Sequence, residues 1–317
     1  MSMLQYANLH FHSTHSDGVY TPKQLVDLAK EEGYRAIALT DHDTVTGCDE
    51  LARLAAERGM ESIFAAEFTT AKERYGWCFH IVGMFFDPTH PQMKEYLRQL
   101  SYNETHETQV LFQRGLEAGF LHDITWDEVL AYNEGITWLC NEHVFRAMKA
   151  KGLATDLDYP VFFRNVYGNH RGEVPPSYPF REPDELIALI HAAGGIAILA
   201  HPHKQLCYLE RLRAAGLDGV EVWHHMLTDR ERIEVLRFCI EHGLYVSGGT
   251  DHDGLMGGQY SRYPDPRVTE FWLEPRTMGT QPLFFEEIKQ RRLAPTQERE
   301  AILRELEAEV YGKGETV

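Results

Sequence analysis

The sequence predicts an α/β fold on a parallel sheet, barrel-like or doubly wound, interrupted by a helical insertion. Two observations predict it. Short apolar runs alternate with amphipathic helical patterns before about residue 87 and again after residue 185, a βαβα rhythm. Between His90 and Pro183 that rhythm gives way to a mostly helical pattern. A third observation bears on function: most of the inner apolar runs end in His, Asp or Glu.

Leu4–His12 reads as the first strand. Thr21-Pro22 supplies an N-cap and a proline at the first helical position, and the helix runs to Glu32-Gly33. Arg35–Thr40 is a buried strand leading into Asp41-His42-Asp43. Gly47–Arg58 is a helix, Glu61–Phe68 a strand holding Glu67 near its end, and Cys78–Phe86 a strand carrying His80. After the insertion, Glu185–Ala193 is a helix and Ile196–Ala200 a strand ending at His201. Gln205–Ala215 is a helix, Gly219–Trp223 a strand ending at His224, Asp229–His242 a helix, and Leu244–Gly248 a strand leading to Asp251. The expected division is a discontinuous barrel (1–99 and 183–280), a helical insertion capping the site (100–182) and a charged helical tail (281–317) packed on the outside.

The bulk composition narrows the class. The chain has 317 residues, 43% hydrophobic and 25% charged, as in ordinary soluble domains. No apolar run approaches the ~20 residues of a membrane span, and Met1-Ser2-Met3-Leu4-Gln5 lacks the pattern of a signal peptide, so a cytoplasmic location is expected. The five cysteines are scattered and suggest neither a disulfide framework nor a thiolate metal site; Cys48, Cys207 and Cys239 read as packing residues in helices. A net charge of −17 argues against duplex nucleic acid as a partner.

The 17 histidines are the anomaly, because they gather at strand ends. Residues i and i+2 of a strand share a face, so His10 and His12 pair two imidazoles, and Asp251 and Asp253 pair two carboxylates. Imidazole and carboxylate together suit Zn, Mn or Fe. Glu67 follows a buried run, Phe64-Ala65-Ala66, and a carboxylate there needs a partner, which a metal pair bridged by it would supply. His201 likewise emerges from a buried strand. In barrels and open α/β sheets, ligands gather at the carboxyl ends of strands.

The set HxHSxxSDG, LTDHDT, a strand-end Glu, a strand-borne His, LAHP and GG-[ST]-D resembles the PHP (polymerase and histidinol phosphatase) family, and most of all its free-standing phosphoesterase branch. The resemblance extends over most of the chain, including GLATDLDYPVFFRNVYG and HAAGGIAILAHP. It implies a distorted (β/α)7 TIM-like barrel holding two to three divalent ions. By resemblance, His10, His12, Glu67 and Asp251 hold a first metal. Glu67 bridges to a second, held also by His80 and His201, and Asp17, His42 and Asp253 hold a third. Two positions depart from the family pattern. Asp253 stands where a His is usual, with His252 beside it, and Glu142 precedes His143 where the family often has Arg-Pro-His.

The expected activity is hydrolysis of a phosphate ester of a small metabolite or nucleotide, by a hydroxide formed between two close cations. His203 and His224 are candidates to protonate the leaving oxygen. His143, Arg164, Arg171 and Lys204 are candidate substrate contacts. Tyr159, Phe162, Phe163 and Tyr167 read as insertion core. The leading alternative is an oligonucleotide-trimming nuclease using the same site. An amidohydrolase is disfavoured because its bridging residue would be a Lys, whereas here it is Glu67, with Lys72 beyond the strand. A non-catalytic module is disfavoured by the near-complete ligand set.

Overall fold

The structure, a computed structural model, describes residues 5–170, 172–252 and 278–312. Seven strands form one sheet in chain order: β1 (Ala7–Asn8), β2 (Ala36–Leu39), β3 (Glu61–Thr69), β4 (His80–Met84), β5 (Ile196–Leu199), β6 (Gly219–Trp223) and β7 (Tyr245–Gly248). The sheet curls into a nearly closed barrel, as expected. Its seam lies between β1 and β7, where Leu9 N–H donates to Gly248 O (3.3 Å), Asp251 N–H to His10 O (2.8 Å) and His12 N–H to His252 O (2.9 Å). Thr280 closes the lower part of the seam, bonding Ala7 through its backbone and Gly248 through its hydroxyl.

Two expectations about strands need correction. The first strand is regular only over Ala7–Asn8, because the chain beyond it turns its hydrogen bonds to the 248–252 segment. The sheet is also not wholly parallel: β4 runs antiparallel to both β3 and β5, while the other four pairings are parallel. Only residues 70–79 separate β3 from β4. That is too short for the crossover a parallel neighbour requires, so the strand turns straight back. The reversal brings His80, the first residue of β4, to the rim where the other strands end, with Thr69 of β3 as its partner.

Alternate residues face the barrel interior. Ala36, Ala38, Ile63, Ala65, Val82, Met84, Ile196 and Ile198 form its apolar lower half. The same columns continue upward as Glu67 on β3 and His80 on β4, so the interior changes from oil to ligand within one strand step. Helices α1 (Pro22–Glu31), α2 (Cys48–Glu57), α7 (Pro183–Ala192), α8 (Leu209–Ala214) and α9 (Asp229–His242) cover the outside. Thr21 caps α1 in a capping box with Gln24, Thr228 caps α9 with Glu231, and Gly243 ends α9 in the left-handed conformation.

Residues 90–170 contribute α3 (Pro91–Glu117), α4 (Trp126–Tyr132), α5 (Asn141–Ala150), α6 (Tyr159–Phe162) and a π-helical turn over Phe163–Tyr167. The lower part of α3 (Met93, Tyr96, Leu97, Leu100) packs in the barrel's outer core. Its upper part (Leu111, Phe112) packs with Tyr159, Phe162 and Tyr167, the aromatics expected to form insertion core. The tail forms α10 (Pro282–Gln290) and α11 (Thr296–Tyr311). It does not merely coat the outside, because α10 turns Phe285 and Ile288 into the interior cluster at the lower end of the barrel. Cys48 and Cys239 are buried as expected, whereas Cys207 is exposed on a short 3-10 turn. Among the described residues no helix is long and apolar enough to cross a membrane.

Candidate metal centre

Glu67 is fully buried, and five imidazoles converge on its carboxylate. His42 and His201 approach to 3.0 Å, His80 to 3.1 Å, and His10 and His12 to 3.4 Å. Asp251 adds a second carboxylate, 3.0 Å from His12 and 3.3 Å from His10. Asp17 lies 3.7 Å from His12 and 3.9 Å from His42. The predicted set is therefore gathered at one rim, except Asp253, which lies outside the described residues together with Arg171.

Local structure explains the placement. Asp41, buried behind the rim, accepts hydrogen bonds from the Ser13 backbone and from the Ser13 and Ser16 hydroxyls (2.6–2.7 Å), which shapes the loop carrying Asp17. Gly249 lets the two ends of the barrel meet, since a Cβ there would sit 2.4 Å from the His10 nitrogen. Asp43, His201 and Asp251 hold φ of 53°, 29° and 51°. Such values are strained for a residue as bulky as histidine, and such strain clusters at functional sites.

The electrostatics are those of a site built for cations. Burial alone would raise the Glu67 pKa, but His10, His80 and His42 outweigh it and hold the carboxyl well below its usual range. Asp251 is held down in the same way by His10, His12 and His224. Burial would lower the His42 pKa, yet Glu67 and Asp17 push it up to about 10. Glu221, Glu67 and Asp251 likewise raise His10 well above its ordinary value against the effect of burial.

Geometry tests the fit to a metal. The buried atoms His10 Nε2, His12 Nδ1, His42 Nδ1 and Glu67 Oε2 make no hydrogen bond of good geometry, although they face polar atoms 3.0–3.7 Å away. Buried polar atoms are rarely left so. Among the described residues four groups place their ligand atoms within 4.8 Å of one another: His10, His12, Glu67 and Asp251; His42, Glu67 and His80; His12, Asp17 and His42; and His10, Glu221 and His224. Mixed nitrogen and oxygen donors of this kind suit divalent cations.

A pH dependence follows. In the metal-free protein, His42 keeps its proton up to about pH 10, against an ordinary value near 6.5. Its contribution to stability is complete below about pH 6.5 and is lost as pH rises through about 10. The lowered Glu67 and Asp251 contribute above their ordinary range, near pH 4, and lose that contribution on acidification. Cation uptake at pH 7–8 is therefore expected to release protons. Calorimetric titration in two buffers of different ionisation enthalpy measures this, and identical heats in both would contradict it.

Other predicted residues fall differently. His143 is fully buried with both ring nitrogens engaged. Nδ1 accepts from the Cys140 backbone (3.1 Å) and Nε2 donates to Thr14 O (3.1 Å), so it ties α5 to the Asp17 loop and has no nitrogen left for substrate. Arg164 and Lys204 are exposed. His203 pairs its Nδ1 with Glu231 (2.9 Å) and stays partly exposed, whereas His224 is fully buried against His10 and His201.

Two residues escaped the sequence reading. Glu221, fully buried on β6, lies 2.8 Å from His10 Nδ1. Its signal was a carboxylate within the apolar run Gly219–Trp223, the same signal that marked Glu67. Arg146 of α5 donates to the carbonyls of Thr14, Ser16 and Gly18 (2.6–3.0 Å), and nothing in its sequence context separates it from a helix-surface cation.

Barrel and rim together define the class: a metal-dependent hydrolase of the α/β barrel type. Residues 8–173, more than half of the chain, match the PHP domain, and the chain belongs to the PHP domain family. It is 32% identical to a 5'-3' exoribonuclease of Haemophilus influenzae over 78% of this chain and 90% of that one. It is 30% identical to a 3',5'-nucleoside bisphosphate phosphatase of Chromobacterium violaceum over 80% and 89%. Among solved structures, a Bifidobacterium adolescentis protein inferred to be a metal-dependent phosphoesterase superposes with a TM-score of 0.70 at 26% identity, covering 92% of this chain and 97% of that one. A Chromobacterium violaceum protein titled an amidohydrolase, with bound sulfate and no metal, superposes at 0.62 and 27% identity over 78% and 87%. The chain is accordingly a metal-dependent phosphoesterase. Glu67, not a lysine, stands near the end of β3, and Lys72 is exposed on the loop beyond it.

Proposed function

We propose that the chain hydrolyses a terminal phosphate ester of a small nucleotide or phosphorylated metabolite. The observation that carries this reading is the convergence of five imidazoles on the buried Glu67, with His10 Nε2, His12 Nδ1, His42 Nδ1 and Glu67 Oε2 left without a hydrogen bond of good geometry. His10, His12, Glu67 and Asp251 would hold one cation; Glu67, His80 and His201 a second; and Asp17, His42 and Asp253 a third. Bound divalent cations polarise phosphoryl oxygens and make water acidic enough to attack near neutral pH. The insertion would cap the rim. Its Trp138 ring lies 6.3 Å from that of His42, and α5 is bonded to the Asp17 loop.

We assign the leaving-group proton to His203 Nε2. Glu231 holds Nδ1 of that ring and fixes its orientation, while the buried His224 has its Nδ1 occupied by the Met226 N–H (3.2 Å). His203→Gln is expected to slow alkyl phosphate esters about a hundredfold and to spare p-nitrophenyl phosphate, whose leaving group needs no proton. Equal losses on both would contradict the assignment. Lys204 and Arg164 would take a second anionic group of the substrate.

The test of the function is phosphate release from nucleoside monophosphates, nucleoside bisphosphates, sugar phosphates and cyclic phosphates with Mn, Fe or Zn supplied. Bisphosphates are expected to turn over fastest, and no release from any member by metal-loaded protein would defeat the reading. The exoribonuclease relative supports a second reading, stepwise trimming of short RNA. Turnover falling steeply with salt would favour it; the net charge of −17 favours small substrates.

A further inference from the structure

We infer that Glu221 is a positioning residue that fixes which nitrogen of His10 faces the metal centre. The inference rests on the proposed role of His10 as a ligand. Glu221 stands on β6 with its side chain fully buried, and both of its oxygens are used. Oε1 lies 2.8 Å from His10 Nδ1, and Oε2 accepts from the His201 backbone N–H at 2.8 Å. An ionised carboxylate accepts only, so His10 Nδ1 keeps a proton, and when the ring gives up its other proton to a cation the lone pair lies on Nε2. That Nε2 is the buried atom without a hydrogen bond, 3.4 Å from Glu67 and 3.3 Å from Asp251. A carboxylate behind a histidine ligand in this way selects the tautomer and orients the ring. The second oxygen acts on the neighbouring strand end, pinning His201 at its strained φ of 29°. One side chain thus supports residues of two proposed metal sites.

Glu221 could instead be a ligand itself, grouped with His10 and His224. The hydrogen bonds argue against this. His224 Nδ1 accepts from Met226 N–H, so the neutral ring carries its proton on Nε2, which faces Asp251 Oδ2 at 3.3 Å and offers no lone pair there. With His10 Nδ1 also protonated, such a group would hold a cation by Glu221 alone.

The test uses the full chain, stripped with chelator and titrated with zinc, for the wild type, Glu221→Leu and Glu221→Gln. Glu221→Leu is expected to weaken the tightest zinc site about 10–100-fold, with the same number of ions bound at saturation. Glu221→Gln is expected to fall between it and the wild type, because an amide oxygen serves one of the two donors. In the zinc-loaded wild type the His10 Nδ1 proton should appear as a slowly exchanging resonance, and in Glu221→Leu it should be lost. Unchanged zinc affinity in both variants would overturn the inference. So would the loss of one bound ion with the remaining affinities intact, which would make Glu221 a ligand. If Glu221→Leu does not fold, Glu221→Gln decides alone: weakened zinc binding supports the inference, and wild-type affinity overturns it. A wild type that binds no zinc would instead refute the metal reading, and absent turnover with normal zinc binding would refute only the proposed reaction.

Discussion

Glu67→Gln is expected to reduce phosphate-ester turnover about a thousandfold or more, a loss of roughly 4 kcal/mol in transition-state stabilisation. Glutamine keeps the shape of the side chain but loses its charge, and its amide nitrogen presents hydrogens where two cations would take lone pairs. Because five imidazoles face this one carboxylate, no neighbour can substitute for it. Metal content by elemental analysis should fall together with kcat. The metal-free protein should also lose stability near pH 6, where His10, His42 and His201 are held charged, because removing one member of a buried ionic cluster typically costs about 3–5 kcal/mol. Full metal content with activity within tenfold of wild type would refute the bridging role.

Arg146→Met is the next largest expected effect. The guanidinium gathers three carbonyls of the Thr14–Gly18 loop, and His143 adds a second bond to Thr14. Hydrogen bonds to a charged group are worth about 1.5–3 kcal/mol each, so losing all three should cost on the order of 4 kcal/mol after partial replacement by water. Methionine retains most of the stem, which isolates the loss of donors from the loss of packing. Thermal unfolding reads the stability. Because Asp17 rides on this loop, we also expect kcat to fall about tenfold to a hundredfold at saturating metal, and an unchanged kcat in a destabilised variant would mean that the latch is structural only.

The sequence analysis located four of the five helices around the barrel within a residue or two, α1 from the local chemistry of Thr21-Pro22, but placed none of those in the insertion. The rim was legible for a related reason: polar residues that terminate apolar runs stand out. What could not be read depended on contacts distant in the chain. The direction of β4 is set by a connection too short for a crossover, which a strand pattern alone does not reveal. The end of β1 at Asn8 reflects pairing with residues some 240 positions away. Phe285 and Ile288 belong to the tail expected to pack on the outside, and only the closed barrel shows the interior they fill. His143 drew attention as a histidine, while the adjacent Arg146 makes more bonds to the same loop.

The reversal of β4 also acts as a ruler. Because β4 descends, the chain leaves it at the floor of the barrel, where Asp87 N–H bonds Ala193 O just before β5. To reach the rim again it must climb the outer wall, and α3 is the ladder. At 1.5 Å per residue its 27 residues reach about 40 Å. Asn103 pairs with Tyr178, three residues before Arg181, whose carbonyl receives the Ala71 N–H just beyond β3. About 18 Å of helix therefore precedes Asn103 and about 20 Å follows it. The reach of α3 is thus encoded as a residue count, and adding or deleting one helical turn beyond Asn103 would shift the helices that follow it by about 5 Å and rotate them little, leaving the barrel untouched.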